Sequence, residues 1–209
     1  SSSAASDVYK RQKYLLTSTS EVYGDPEISP QPESYWGRVN PNGVRSMYDE
    51  AKRFAEAAVS SYNRIYNIDS RIVRLFNTYG PKMKINDGRV VTNFIVQALN
   101  GEDITIYGKG NQTRSFCYVS DTVAGIIKAM DSESNEVFNI GNPNEITILQ
   151  LAETIIQLTE SKSGLKYQEL PDDDPTQRKP DIGKAINILD WKPDIGLEEG
   201  LNKTIGWVK

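Results

Sequence analysis

The order of three neighbouring segments limits this chain more than any other feature in it. From Lys13, KYLLTST is a short apolar run ending in hydroxyls, which predicts a buried strand. Residues 46–67, SMYDEAKRFAEAAVSSYNRIYN, are rich in helix formers. Ser46 is placed as the N-cap, with Asp49 and Glu50 in the first turn, where carboxylates suit the helix dipole. SRIVRLFNTYG then predicts a strand running into a turn at Gly80-Pro81. A helix that carries the chain back between two strands leaves both pointing the same way, so the unit is βαβ and the sheet parallel.

The remainder keeps alternating. A helix is expected over 89–100, a strand at ITIYG, a helix over 120–131, and a strand at EVFNIG. ITILQLAETIIQLTE predicts a helix, LKYQEL a strand, and two short helices close the chain around 181–190 and 197–208. The class is α/β. Residues 24–44 hold four prolines and predict a long loop, of the kind that is usually functional or disordered. A dinucleotide-binding fold opens with a strand, a glycine-rich turn and a helix, and no segment supplies that here. GKGNQTR (108–114) follows a late strand and lacks the Lys-Ser/Thr of a phosphate loop, so it reads as a turn. If a cofactor domain exists, this chain holds only its second half.

Composition removes whole classes of chemistry. Among 209 residues there is no histidine, which excludes Ser-His-Asp and Cys-His nucleophiles and histidine-based metal sites. Acid–base work falls to Tyr, Lys, Asp, Glu or Arg. Cys117 is the lone cysteine, so no disulfide framework exists and a reducing, cytoplasmic setting is expected. A net charge of −4 gives no nucleic-acid footprint, while a few arginines can still bind an anionic small molecule locally. Residues 1–12 are polar and patternless, a disordered lead or artefact without the apolar stretch of a signal peptide.

Tyr48 and Lys52 stand four apart, one turn of helix. Spacing alone proves little, because 11 tyrosines in this composition give about 0.7 such pairs by chance and a second exists at Tyr9 and Lys13. Thr17, Ser18, Thr19 and Ser20, followed by Glu21, lie at the carboxyl end of the first strand, where parallel sheets present side chains to ligands. Thr17 and Ser18 read best as turn caps. Asn77 and Thr78 end the next strand, and an asparagine there is ordinarily a turn residue.

Taken in order, these motifs resemble the extended short-chain dehydrogenase/reductase superfamily. The hydroxyl-bearing strand is followed by Tyr-x-x-x-Lys about 30 residues later, then by FNTYGP. Within the superfamily, TSTSEVYGDPE, PESYWGRVNPNGVRSMYDEAKR, RLFNTYGPKM, YGKGNQTRSFCYVSD and DDPTQRKPDIGKA resemble the UDP-glucuronic acid decarboxylase family, from Lys13 to the C-terminus. The resemblance implies the C-terminal two-thirds of such a fold: residues 13–80 as the second half of an NAD-binding Rossmann domain, and 81–209 mainly as a smaller nucleotide-sugar-binding lobe. The helix near 120–131 would return to the Rossmann domain.

The implied reaction oxidises C4 of UDP-glucuronate with NAD⁺, releases C6 as CO₂, and reduces the 4-keto pentose to UDP-xylose. The resemblance makes Tyr48 the acid–base, Lys52 the group that lowers its pKa, and Thr19 the hydroxyl that orients the sugar. It sets Thr19, Tyr48, Lys52 and Phe76 against the cofactor. Thr19-Ser20-Glu21 lacks the aspartate of the 4,6-dehydratases, and Ser20 and Glu21 match positions that hold the ring during decarboxylation. Arg178 matches an arginine acting at the C5 enolate, although a solvated loop cation stays open. Asn77, Arg89, Tyr107, Arg114 and Arg178 match positions that bind the UDP-sugar, with Arg45 open between the glucuronate carboxylate and a surface role.

No metal is implied, and the Asp-rich run at 172–175 reads as solvated. Relatives form homodimers by packing this Tyr-Lys helix, and the alanines at 51, 55, 57 and 58 suit either that or packing on the sheet. Anchored members carry their membrane segment upstream, so a Golgi-anchored full-length form stays open beside a cytoplasmic one. The alternatives are a 4-epimerase, a 4,6-dehydratase, or a non-catalytic fragment that binds a UDP-sugar or a partner. The absent glycine-rich turn predicts weak NAD binding by this chain alone.

Overall fold

A computed structural model describes residues 12–85, 87–170 and 177–209. Most of the expected lead, Tyr9 of the second Tyr-Lys pair and the run at 172–175 lie outside the described residues. In chain order the first elements are β1 (Tyr14–Thr19), a 3₁₀ turn (Ser20–Tyr23), α1 (Ser46–Tyr66), β2 (Ser70–Leu75), β3 (Thr78–Tyr79) and α2 (Val90–Asn100). Then come β4 (Ile104–Tyr107), β5 (Thr113–Ser115), β6 (Cys117–Tyr118), α3 (Val119–Asp131) and β7 (Val137–Ile140). The chain closes with β8 (Glu145–Thr147), α4 (Ile148–Thr159), β9 (Leu165–Gln168), α5 (Gly183–Leu189) and α6 (Leu197–Val208).

β1, α1 and β2 form the expected parallel unit, in register from Tyr14 opposite Ser70 to Thr19 opposite Leu75. β7 joins the other side of β2, also parallel, giving the order β1-β2-β7. This sheet packs with α3 and α5 over a core of Val73, Ala129, Phe138, Ile140, Ala185, Leu189 and Trp191. A second core gathers Val91, Phe94, Ile95, Ile104, Ile106, Leu151, Ile155, Leu201 and Ile205, contributed by α2, β4, α4 and α6. In that lobe β4 runs parallel to β9, and β5 runs antiparallel to β8. Between the two cores lies the parallel pair of β3 and β6, with Cys117 facing the first core and Tyr79 and Tyr118 the second.

Several expectations need correction. β1 is not a buried strand: Tyr14 is half exposed and only Ser18 and Thr19 are fully buried, because β1 occupies a sheet edge with a partner on one side. Ser46 is the first helical residue of α1, and Arg45 takes the N-cap position without a side-chain cap bond. SRIVRLFNTYG is two strands, since the chain leaves the large sheet after Leu75 and rejoins β6 at Thr78. The helix expected from Ile146 begins at Ile148. There the Thr147 hydroxyl accepts from the Gln150 amide at 3.0 Å and Gln150 reaches back to Thr147, a capping box that ends β8 and starts α4.

The long loop is ordered. Gly24 bridges to Arg38, and Gln31 to Pro180. Arg53 from α1 donates to the carbonyls of Val22 at 3.0 Å and Trp36 at 2.7 Å. Gln31, wholly buried, donates to the Ile28 carbonyl and accepts from the Lys179 amide at 2.8 Å. These bonds satisfy backbone groups that would otherwise be stranded beneath the loop, and they fold residues 24–44 against the carboxyl end of the sheet.

Candidate active site

A cavity of about 440 Å³ lies between the lobes beyond the carboxyl ends of β1 and β2. Glu21, Arg45, Asn77 and Arg178 line one side, and Arg89, Tyr107 and Arg114 the other. This is where open parallel sheets take ligands, because strand ends and loop residues converge there.

Glu21 is aimed by its own local structure. Thr19 ends β1 and caps the 3₁₀ turn, its hydroxyl accepting from the Glu21 amide at 3.2 Å. The turn swings the Glu21 carboxylate onto Arg178, whose two terminal nitrogens both donate to it, Nη2 at 2.9 Å from Oε2. Arg178 also reaches Ser20 Oγ at 3.5 Å. Arg45 Nη2 makes a further contact of 2.8 Å with Glu21 Oε2. Arg178 is only 4 % exposed, and its Nε has no hydrogen-bond partner among the described residues. Burial pushes the Glu21 carboxyl up, but the hydrogen bonds and charge of Arg178, helped by Arg45, outweigh it and hold Glu21 below the ordinary carboxylate range.

Tyr48 and Lys52 share a face of α1 as their spacing requires. Lys52 Nζ lies 5.8 Å from the Tyr48 ring centre and donates to the Thr17 carbonyl of β1 at 3.0 Å. Tyr48 is 51 % exposed, and neither residue lines the cavity. Phe76 is buried at the end of β2 against Val22 and Tyr23, so its side chain faces protein.

Of the expected sugar-nucleotide residues, Asn77, Arg89, Tyr107, Arg114 and Arg178 all line the one cavity. Arg89 precedes α2, pairs with Asp87 at 3.2 Å and stays 64 % exposed. Gln112 holds the turn after β4 by donating to the Tyr107 carbonyl at 2.9 Å. Arg45, left open between two roles, is brought onto Glu21.

The cavity also draws on Asn93, Gln112 and Gln168, to none of which the sequence reading gives a role, although Gln112 lies within YGKGNQTRSFCYVSD. Asp49 stands in the first turn of α1 as expected, is 6 % exposed, and its Oδ1 has no hydrogen-bond partner among the described residues. Cys117 is buried in the seam, where burial above all, with the Asp121 charge, pushes its thiol up to about 11. A thiol so shifted is no nucleophile at neutral pH.

Residues 3–204 match the family described as GDP-mannose 4,6 dehydratase. UDP-glucuronic acid decarboxylase 3 of Arabidopsis thaliana is 58 % identical over 189 residues, 90 % of this chain and 55 % of the relative. UDP-glucuronic acid decarboxylase 1 of Xenopus tropicalis is 52 % identical over 197 residues, 94 % of this chain and 47 % of the relative. The chain thus spans about half the length of the curated relatives it matches. Among solved structures, UDP-glucose 4-epimerase of Thermotoga maritima with UDP-glucose superposes with a TM-score of 0.88 at 31 % identity, over 94 % of this chain and 63 % of that one. UDP-glucuronic acid 4-epimerase of Bacillus cereus, in complex with UDP-glucuronic acid and NAD, gives 0.85 at 26 % identity, over 97 % and 64 %. With the parallel sheet, the inter-lobe cavity and the Tyr-Lys helix already in place, these matches settle its kinship: the chain belongs to the GDP-mannose 4,6 dehydratase family.

Proposed function

We propose that this chain carries the substrate-holding and acid–base part of an NAD-dependent UDP-glucuronate decarboxylase that yields UDP-xylose. The observation that carries the reading is Arg178, buried and held by two bonds to Glu21 in the wall of a cavity that Arg45, Arg89 and Arg114 also line.

The residues suit the cofactor. Tyr48 and Lys52 stand together beside the carboxyl half of β1, with the tyrosine ring half open to solvent. Lys52 and Thr19 would hold the nicotinamide ribose side. When bound, NAD⁺ takes up the two electrons of C4 oxidation and returns them at the end.

Tyr48 removes the C4 hydroxyl proton and later restores it. Lys52 holds its ammonium 5.8 Å from the Tyr48 ring centre, on the same helix face. Thr19 orients the hydroxyl. Once C4 is a ketone, the carboxylate on C5 is β to a carbonyl. The C5–C6 bond then breaks, CO₂ departs, and the electron pair is left as an enolate across C4 and C5. Ser20 and Glu21 hold the ring, and Arg178 offers its guanidinium to the enolate oxygen. Arg89 and Arg114 meet the diphosphate, aided by the free amides in the first turn of α2. Asn77 donates to a phosphate or sugar oxygen, and Tyr107 flanks the base. A homodimer formed through α1 completes the proposal.

The test is incubation of the intact protein with UDP-glucuronate and NAD⁺, scored for CO₂ and UDP-xylose. Conversion only to the C4 epimer of the substrate, without CO₂, would assign an epimerase. Turnover of dTDP-glucose with UDP-glucuronate untouched would sink the decarboxylase reading.

A further inference from the structure

A second cavity, of about 380 Å³, lies beneath the folded loop and shares Glu21, Arg45 and Arg178 with the first. Its other walls are Gly24, Asp25, Arg38, Val39, Asn40, Gly43 and Asp49. The Glu21–Arg178 pair is thus a partition with the substrate cavity on one side and a polar chamber on the other. Asp49 belongs to the chamber alone. It is 6 % exposed, and its Oδ1 has no hydrogen-bond partner among the described residues. A buried carboxylate oxygen without a donor is costly to keep, so its retention calls for a reason.

We propose that Asp49 is a positioning residue that passes solvent protons from the second cavity to the Glu21–Arg178 pair. This rests on the decarboxylase reading, whose chemistry demands such a supply. Loss of CO₂ from a carboxylate leaves the bonding pair on the sugar, and one proton must form the new C5–H bond for every CO₂ released. In balance, the substrate carboxylate plus one proton gives CO₂ plus the 4-keto pentose, and no oxidant or reductant is consumed in this step. An Arg178 N–H bond breaks as the C5–H bond forms, Glu21 staying ionised beside it, and Asp49 returns a proton from the chamber to the guanidine so left.

The charges around Asp49 suit the task. From the 3₁₀ turn it faces Glu21, from the end of the loop Arg45, from the C-terminal segment Arg178, and along α1 Glu50; Asp25 and Arg38 line the same chamber. Burial first, then the Glu21 charge, pushes the Asp49 carboxyl above its ordinary range despite Arg45 and Arg178. Glu21 is pushed the opposite way. Two neighbouring carboxyls driven apart in this manner divide labour, one staying ionised while the other exchanges protons nearer working pH.

The experiment uses the intact, NAD-loaded protein. Asp49→Asn keeps the shape and cannot act as an acid. It is expected to leave single-turnover formation of reduced cofactor and KM nearly unchanged, to lower kcat about 100-fold, and to remove one titration from the pH profile of kcat. Because ionised Asp49 is disfavoured in the fold, its thermal midpoint at neutral pH should hold or rise. Asp49→Ala leaves room in the chamber, and added formate is expected to restore its CO₂ release in a saturable way. Wild-type kcat and pH profile in Asp49→Asn, or no formate rescue in Asp49→Ala, would overturn the inference while leaving decarboxylation intact. No CO₂ from the parent protein would overturn both.

Discussion

Glu21 is the residue through which most of the site is coupled. Its carboxylate joins the end of β1 to Arg178 far along the chain and to Arg45 at the start of α1. Glu21→Gln removes the charge that holds two arginines in place. A loss of about 2 kcal/mol at neutral pH is expected, the scale of a charge-assisted hydrogen bond, read by denaturant unfolding. The sign with pH follows from the depressed carboxyl. Its stabilisation is present above the ordinary value of 4.5 and is lost as pH falls through the lower folded value. The variant should therefore lack the part of the acid-side decline that Glu21 causes. Glu21 and Arg178 were legible in the sequence because each sits in a long ordered motif. Asp49 was not, since an aspartate in the first turn of a helix looks like a dipole partner. Its burial is decided by a loop that returns from residues 24–44, which no local pattern encodes.

At the scale of elements, hydrophobic periodicity found every long helix and the strands of the large sheet. It missed the short strands β5, β6 and β8 and ran β3 into β2, because strands of two or three residues are set by partners distant in sequence. It also overstated β1, because an apolar run reads the same whether a strand has one neighbour or two. The loop was legible as a loop, but its fixed course was not. That course depends on Gly24, with φ of +63° and a would-be Cβ 1.9 Å from the Arg38 carbonyl oxygen. Gly24→Ala must displace one side of the Gly24–Arg38 bridge. Destabilisation of about 2 kcal/mol or more is expected, measured by thermal melting. A matching fall in Asp49 burial would appear as faster amide exchange across 37–45.

For the whole molecule, α1 presents the largest unresolved demand. Met47, Phe54, Tyr62 and Ile65 recur at helical spacing and are all exposed, at 87, 74, 58 and 70 %, with Ala51 and Ala58 between them. An apolar stripe of that length on one helix is the kind of surface that proteins cover. Of the four alanines left open between two roles, Ala51 and Ala58 fall on this stripe, Ala51 exposed and Ala58 half-buried, while Ala55 and Ala57 flank it. For the homodimer proposed through α1, Phe54→Glu is expected to shift the protein toward monomer in sedimentation velocity, with little loss of helix by circular dichroism. Among the described residues no helix is long and apolar enough to cross a membrane.

The split between β2 and β3 has a mechanical consequence. The chain crosses from one core to the other through Phe76 and Asn77, and Asn77 itself forms part of the cavity wall. Any movement at this crossing would therefore shift part of the cavity wall as well, so the joint and the wall are one piece. A bound nucleotide sugar would act as a cross-brace, adding about 2.7 kcal/mol at a hundredfold excess over Kd. Calorimetry should then show two overlapping melts, one for each core, fusing into a single sharper transition as UDP-sugar is added.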